Sequence, residues 1–159
     1  MRLYHGSNIA VETPCLMPVH RKLDFGQGFY TTSDFEQASR WAKRTLYRRK
    51  EGAALVSVYQ LEDYDMERLA VKKFKAADAE WLSFVTANRT GVLETNAYDI
   101  IAGPVANDQT MTVINLYLDG LYDTEETLRR LLTQNLTDQL VFKTGKAIEA
   151  LRFVEAIEV

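Results

Sequence analysis

The sequence is poor in the residues that cross-link a fold or hold a metal. It contains one cysteine, Cys15, and two histidines among 159 residues. A single cysteine excludes an internal disulfide, and so few sulfur and imidazole ligands argue against a structural zinc site, so we expect no metal. The sequence also lacks a run of about 18 apolar residues that would cross a membrane. Residues 1–5 lead directly into polar sequence, unlike a signal peptide, so we expect a reduced, cytoplasmic setting without membrane association.

The chain also lacks the strong positive charge of a nucleic-acid coat protein, since its formal net charge is −3. Its length predicts one domain over residues 1–159, and a hydrophobic fraction of 47% is enough to form a core. The 7 Phe, 8 Tyr and 2 Trp residues are sufficient both to fill that core and to build a pocket for a flat ligand.

Helical and strand-like segments mix without the regularity of βαβ units, which predicts an α+β fold. The apolar spacing predicts helices over 35–49, 76–88, 123–135 and 144–151, and strands over 1–4, 54–61, 98–103, 140–142 and 152–159. Residues 110–118 fit either a strand or a helix, and residues 8–23 are expected to form a loop with one helical turn. Ser33 or Asp34 is the expected cap of the first helix and Thr124 that of the third. The predicted apolar stripes contain Phe35, Ala38, Trp41, Ala42 and Leu46 in the first helix, and Leu128, Leu131 and Leu132 in the third.

His5, Gly6 and Ser7 follow the first predicted strand. A histidine at this point is suited to donate a hydrogen bond to a ribose hydroxyl. A glycine leaves its N–H and C=O bare, so a flat carboxamide can pair with them. The alternative is an ordinary surface histidine, or one whose hydrogen bonds are satisfied within the protein.

A second motif is Gly26-Gln27-Gly28-Phe29-Tyr30, with Trp41 11 residues after the tyrosine. Two glycines inside a strand-like aromatic run predict a bulge or a close approach of the backbone to another group. The rings of Tyr30 and Trp41 are placed to face one cleft and to sandwich a heteroaromatic ring. The alternative is that both are core aromatics.

Together these motifs resemble the His-Tyr-Glu branch of the ADP-ribosyltransferase superfamily, which includes the poly(ADP-ribose) polymerases and small bacterial proteins. The resemblance implies an ADP-ribosyltransferase-like fold of short, split antiparallel sheets with flanking helices around an NAD cleft. It also implies that His5 holds a ribose hydroxyl, that the Gly6 backbone grips the carboxamide, and that Tyr30 and Trp41 stack on nicotinamide. The further NAD-binding residues that we assign are Ser7, Gly26, Gly28 and Arg21, the last toward the pyrophosphate. The family commonly has a serine where Ala38 stands.

The third position of the family's triad falls on Gln139, where the family has a glutamate at the start of a late strand. Glutamine still accepts a hydrogen bond from ribose, but it lacks the charge that steadies an oxocarbenium-like transition state. Loss of that negative charge would raise the activation free energy by about 3 kcal/mol and lower the rate by roughly a hundredfold. Strand alternation aims the neighbouring carboxylate, Asp138, away from Gln139. The alternative for Gln139 is an exposed polar residue at the start of a strand.

The resemblance implies an NAD-dependent mono-ADP-ribosyltransferase that uses NAD as substrate, requires no metal and modifies a macromolecular acceptor of unidentified kind. A bacterial toxin neutralised by a small antitoxin protein fits the size of the chain. The alternative is a weak or inactive module of the same fold that binds NAD, ADP-ribose or a protein partner. RNA 2′-phosphotransfer onto NAD ranks last, because it would need several basic residues lining the cleft. The basic residues between Arg40 and Lys50 are interpreted as a solvated helix face, with contact to nucleic acid or to the NAD diphosphate as the alternative.

Overall fold

The computed structural model describes residues 1–16, 23–91 and 97–159. Within these ranges the chain forms two small sheets and six helices, which confirms the α+β class. The first sheet has the strand order β1-β3-β7, with β1 (Arg2–Ser7), β3 (Leu55–Gln60) and β7 (Arg152–Glu158). The second has the order β2-β6-β5-β4, with β2 (Phe29–Thr31), β6 (Asp138–Phe142), β5 (Ile100–Pro104) and β4 (Val71–Lys73). Neighbouring strands are antiparallel except β4 and β5, which are parallel.

All the described helices except the short one over residues 63–67 begin after a residue whose side chain accepts from one of the first free N–H groups. Asp34 caps the first helix by accepting from the Gln37 N–H at 3.1 Å, as one of the two expected caps. The expected cap Thr124 is wrong, because the Asp123 carboxylate accepts from the Glu126 N–H at 2.8 Å. The helices are α1 (Phe35–Arg49), α2 (Asp63–Glu67), α3 (Ala79–Thr90), α4 (Asp108–Leu118), α5 (Thr124–Leu132) and α6 (Gly145–Glu149).

The core has two main layers, one on each face of the second sheet. Alternate residues of β6 point to opposite faces, so Leu140 and Phe142 join one layer and Val141 the other. The first layer fills the space between the two sheets and includes Leu3 and Tyr59 of the first sheet. The second layer packs the other face against residues of α3, α4 and α5.

Several element predictions need correction. The first strand does not stop before His5 but continues to Ser7, because all of its residues pair with β3. Residues 108–118 form a helix, which resolves the ambiguity at 110–118. Leu132 does not belong to the buried stripe of α5, since its side chain is 79% exposed. The expected helical turn is absent from residues 8–16, and residues 17–22 lie outside the described part of the chain.

Strand β4 and helix α2 were not predicted at all. Three residues of β4 pair in parallel with β5, and so short a segment has no periodicity of its own. In the part of the chain that the structure describes, no helix is both long and apolar enough to cross a membrane.

Candidate functional site

Strands β1 and β2 are joined at one point and then separate. The N–H of Tyr4 donates to the Thr32 carbonyl at 2.8 Å, and the N–H of Thr32 donates to the Tyr4 carbonyl at 3.0 Å. In an antiparallel ladder the next such pair would join Gly6 to Tyr30, because every second residue directs its backbone groups to the same side. That pair does not form among the described residues, so a split opens between β1 and β2.

The imidazole of His5 lies in this split. Its Nδ1 donates to the carbonyl oxygen of Tyr30 at 2.7 Å, the acceptor that the Gly6 N–H would otherwise use. The ring stacks on Phe29 with the two ring centroids 4.5 Å apart and the planes inclined by 30°. Burial lowers the pKa of His5 from its ordinary value of 6.5, and the bond to Tyr30 opposes this only in part.

These contacts determine which hydrogen bonds His5 has left to make. With Nδ1–H committed to Tyr30 and the ring neutral near pH 7, Nε2 carries a lone pair and no proton. The free ring nitrogen of His5 is therefore able to accept a hydrogen bond but not to donate one. The sequence-based expectation that it donates one is corrected on this point.

Gly6 presents its backbone to the split and its Cα to helix α1. A β-carbon at this position would overlap the Ala38 carbonyl oxygen and lie 2.7 Å from the Ala42 nitrogen. Glycine is thus required by the helix that packs on β1, and not, as the sequence suggested, to leave room for a flat amide. Its N–H and C=O nevertheless point into the split on the same edge as those of Tyr4, and no described residue pairs with them there.

Trp41 lies on the turn of α1 between Ala38 and Ala42, the turn that touches Gly6. Its side chain is 45% exposed, so both the predicted place in the apolar stripe and the alternative of a core aromatic are wrong for this residue. The buried part of the helix consists instead of small and polar side chains, including both alanines. The exposed indole on the helical turn that touches Gly6 is available for stacking on a flat ligand.

Tyr30 uses its phenol to hold the loop that precedes β2. The hydroxyl donates to the Gly26 carbonyl at 2.6 Å and accepts from the Phe25 N–H at 3.2 Å. Burial and the nearby Asp24 carboxylate raise the pKa of Tyr30, so the phenol stays protonated. The hydroxyl is therefore engaged within the protein, and the half-buried ring packs against the core layer on the sheet face opposite the His5 ring.

The two glycines of the Gly-x-Gly motif are explained by contacts within the protein. Gly26 has a φ of 71°, which favours glycine, and a β-carbon there would lie 2.9 Å from Asn88 Oδ1. At Gly28 a β-carbon would overlap Val141 Cγ1 and lie 2.8 Å from the Phe142 carbonyl oxygen. The predicted close approach of the backbone is thus confirmed. The group approached is Asn88 of α3 at Gly26 and strand β6 at Gly28.

Gln139 lies on β6 and not at an exposed strand start, since its side chain is only 4% exposed. Its Nε2 donates to Asp24 Oδ2 and to the Pro104 carbonyl, both at 3.2 Å. The structure therefore connects Gln139 to the Asp24–Gly26 loop that holds the Tyr30 hydroxyl, on the face of the sheet opposite the His5 ring.

Sequence reasoning missed Asp24 and its partner Arg89. The Asp24 carboxylate accepts from Arg89 Nε at 2.8 Å and from the Ala106 N–H at 3.0 Å, and it is buried. A buried carboxylate needs such partners. The signal in the sequence was an acidic residue directly before the apolar Phe25, but nothing near it in the sequence indicated the arginine 65 positions later.

Two remaining candidates and one neighbour complete the site. Ser7 is half-buried and shares a face of β1 with His5. Arg21 lies outside the described residues. The Asp138 carboxylate accepts from the Thr32 hydroxyl and from the Ser33 N–H, both at 3.1 Å, and so holds the corner between β2 and α1. As predicted, it is directed away from Gln139.

A family model described as "Protein of unknown function (DUF3990)" matches residues 1–153, so the chain belongs to this family. No curated protein and no solved structure matches the chain.

Proposed function

We propose that this member of the DUF3990 family binds NAD⁺ in the split between β1 and β2 and transfers its ADP-ribose to a macromolecular acceptor. The observation that carries the proposal is the unpaired edge of Gly6 beside the His5–Tyr30 hydrogen bond. A carboxamide has one acceptor oxygen and one donor NH₂, and Gly6 offers a donor and an acceptor on the same edge.

The surroundings of this edge suit the rest of nicotinamide riboside. Trp41 is exposed on the helical turn that touches Gly6, and Tyr30 is the residue that antiparallel pairing would place opposite Gly6. The exposed indole of Trp41 has a face to offer to nicotinamide, and the Nε2 lone pair of His5 is an acceptor for a ribose hydroxyl. Two short sheets joined by a single bridge, with helices on their outer faces, also fit the split-sheet ADP-ribosyltransferase fold that the sequence motifs imply.

In the proposed reaction the bond between ribose C1′ and the nicotinamide nitrogen breaks, and its electron pair leaves with nicotinamide. An oxygen or nitrogen of the acceptor forms the new bond to C1′ and releases its proton to water. In this proposal the chain promotes the reaction by positioning the reactants more than by supplying charge, because the residue in the third triad position, Gln139, is neutral. We therefore propose slow mono-ADP-ribosyl transfer.

A second candidate is a module that binds NAD⁺ or ADP-ribose without turnover. The observation in its favour is that Gln139 is buried and that its amide NH₂ already donates to Asp24 and Pro104. Such a module would bind NAD⁺ at the same edge and release no nicotinamide.

The test compares two exposed aromatics on the same helix. Trp41→Ala is expected to weaken NAD⁺ binding by about three- to tenfold, the value of one stacked ring. Tyr47→Ala is the matched control, because Tyr47 is 82% exposed and lies almost two helical turns beyond Trp41. Calorimetry measures binding, and nicotinamide release is followed with and without cell lysate as acceptor.

The possible results separate the candidates. Binding that depends on Trp41, with nicotinamide release in lysate, supports the transferase. The same binding without any release supports the binding module. Absence of NAD⁺ binding by the wild-type protein, or equal effects of the two substitutions on NAD⁺ affinity, overturns the assignment of the split to NAD⁺.

We further propose, from the resemblance and the size of the chain, that the transferase acts as a bacterial toxin held in check by a small protein. Expression of the chain in bacteria is then expected to reduce survival, and Trp41→Ala to relieve the effect. Normal growth while the wild-type protein accumulates in soluble form would contradict this role.

A further inference from the structure

Helix α1 carries a concentration of positive charge that the rest of the protein does not share. Residues 35–50 contain six of the 19 Lys and Arg residues and one of the 22 Asp and Glu residues. This segment therefore carries +5, while the rest of the chain carries −8. All six cationic side chains are exposed, and we call them the basic face: Arg40, Lys43, Arg44, Arg48, Arg49 and Lys50.

The arginines of the basic face form a row. Arg40, Arg44 and Arg48 follow one another at four-residue spacing, so they lie along one side of the helix with a rise of about 6 Å from each to the next. Arginine is the side chain best suited to phosphate, because its planar group donates two parallel hydrogen bonds. In the described ranges, no ion pair joins Arg40 or Arg48 to a carboxylate.

Two exposed aromatic rings flank this row. At 100° per residue, Tyr47 falls on one side of the arginines and Trp41 on the other, and their side chains are 82% and 45% exposed. The Tyr47 ring in particular is almost fully open to solvent, so packing within the protein does not account for it. Cations that track a backbone, with aromatic rings beside them for bases, are the two components of sites for single-stranded nucleic acid.

A membrane surface is a poorer match for the same helix. A membrane-bound basic helix inserts its apolar face into the lipid. In this protein that face is occupied, because Ala38 and Ala42 are buried against Val56 of β3 and against Gly6. The solvent side of α1 carries exposed cationic and aromatic side chains instead of an apolar face.

We propose that the basic face with Tyr47 binds single-stranded nucleic acid. The arginine row would contact successive phosphates, and the tyrosine ring would stack on a base. Trp41 borders the arginine row and lies on the helical turn that touches Gly6. We propose on this ground that the bound strand is also the acceptor of ADP-ribose, a clause that rests on the proposed function.

The binding test uses fluorescence anisotropy with a single-stranded oligonucleotide of mixed sequence, as RNA and as DNA, in the absence of NAD⁺. One variant combines Arg40→Gln, Arg44→Gln and Arg48→Gln. Its charge-matched control combines Arg129→Gln, Lys146→Gln and Arg152→Gln, whose side chains are 74%, 62% and 57% exposed on other elements. The two variants have the same net charge, so any difference between them is local to α1.

The α1 variant is expected to bind about tenfold or more weakly, and its plot of log affinity against log salt should flatten by about two units, since each lost phosphate contact removes roughly 0.7. The control should retain wild-type binding to within about twofold, and Tyr47→Ala should lose about fivefold or more. Equal losses of oligonucleotide affinity in the two triple variants would overturn the proposal. Stronger binding to a duplex of the same sequence than to the single strand would also overturn it. Binding to anionic vesicles with none to oligonucleotides would overturn it as well.

A second measurement isolates the acceptor assignment. NAD⁺ is added to the bound oligonucleotide, and covalent ADP-ribose is detected by mass spectrometry. Modification that is lost in the α1 variant, while NAD⁺ binding is kept, supports the strand as acceptor. If the protein binds both the oligonucleotide and NAD⁺ but does not modify the oligonucleotide, the acceptor assignment alone is overturned. If the wild-type protein does not bind NAD⁺, the proposed function is overturned and the nucleic-acid site still stands.

Discussion

The Nδ1 nitrogen of His5 lies 2.7 Å from the carbonyl oxygen of Tyr30 on the neighbouring strand. This bond takes the acceptor that sheet pairing would assign to Gly6. A side chain thereby replaces a backbone donor, and the two strands separate immediately after the Tyr4–Thr32 bridge. The proposed NAD⁺ site is a consequence of this one exchange of hydrogen-bond partners.

His5→Phe tests whether the imidazole keeps the split open. Phenylalanine retains the packing on Phe29 but removes both ring nitrogens. We expect the freed Tyr30 carbonyl to pair with Gly6, so the Gly6 amide becomes protected from hydrogen exchange. We also expect NAD⁺ affinity to fall by about tenfold, for one lost hydrogen bond. A Gly6 amide that exchanges as fast as in the wild type, with NAD⁺ affinity unchanged, would show that His5 does not act in this way.

The lowered pKa of His5 predicts a loss of stability in mild acid. The unfolded chain takes up a proton near the ordinary pKa of 6.5, while the folded chain resists until a lower pH. The stabilising contribution is thus complete above 6.5 and is lost as the pH falls below it toward the folded pKa. The urea midpoint should decrease between about pH 7.5 and about pH 5.5, and the decrease should be smaller in His5→Phe.

Asp99 shows why the effect of His5 can be distinguished from unfolding that is caused by protonation of carboxylates. The Ala70 N–H, and then the Thr144 hydroxyl, lower the pKa of Asp99 from its ordinary 3.8, so its contribution is lost only when the pH falls below that value. If His5→Phe and wild type lose stability in parallel between about pH 7.5 and about pH 5.5, the histidine is not the group responsible.

Gln139→Glu, which introduces the glutamate found in the His-Tyr-Glu branch of the ADP-ribosyltransferases, is expected to destabilise the protein. Gln139 Nε2 donates to Asp24 Oδ2 at 3.2 Å in a buried position, so the substitution would place two carboxylates against each other. The unfolding free energy should drop by about 3 kcal/mol at neutral pH. Urea unfolding measures this, and the double variant Gln139→Glu with Asp24→Asn, which keeps the net charge of the network, should recover most of the loss. A single variant as stable as the wild type would mean that the network tolerates a second charge.

Two glycines provide a matched test of packing against strand β6. In Gly28→Ala the new β-carbon meets Val141 and Phe142, and we expect a loss of about 1–3 kcal/mol from overpacking. In Gly145→Ala it meets no atom within 4 Å, at the start of α6, so stability should be unchanged or raised by about 0.4–1 kcal/mol. Thermal unfolding of both variants measures the difference, and equal midpoints would contradict the close contact at Gly28.

The sequence predicted the elements that have strong local patterns. The apolar spacing of residues 35–49 was sufficient for α1 and left two candidates for its cap, Ser33 and Asp34, of which the structure selects Asp34. The alternation in residues 54–61 was sufficient for β3. It failed for β4, whose three residues form a strand only because β5 lies beside them. It also failed for Trp41, because helical spacing shows which residues share a side of a helix but not how far the burial extends around it.

The candidate site divides in the same way. The sequence by itself identified His5, Gly6, Tyr30 and Trp41 as one group, because their motifs and spacing are local properties of the chain. Only the tertiary structure decided that His5 donates a hydrogen bond to the Tyr30 carbonyl, that the N–H and C=O of Gly6 stay unpaired toward β2, and that Gln139 is buried against Asp24. The physical reason is that hydrogen-bond partners and burial are set by contacts between residues 25 and 115 positions apart, and no local pattern records which acceptor each donor will reach.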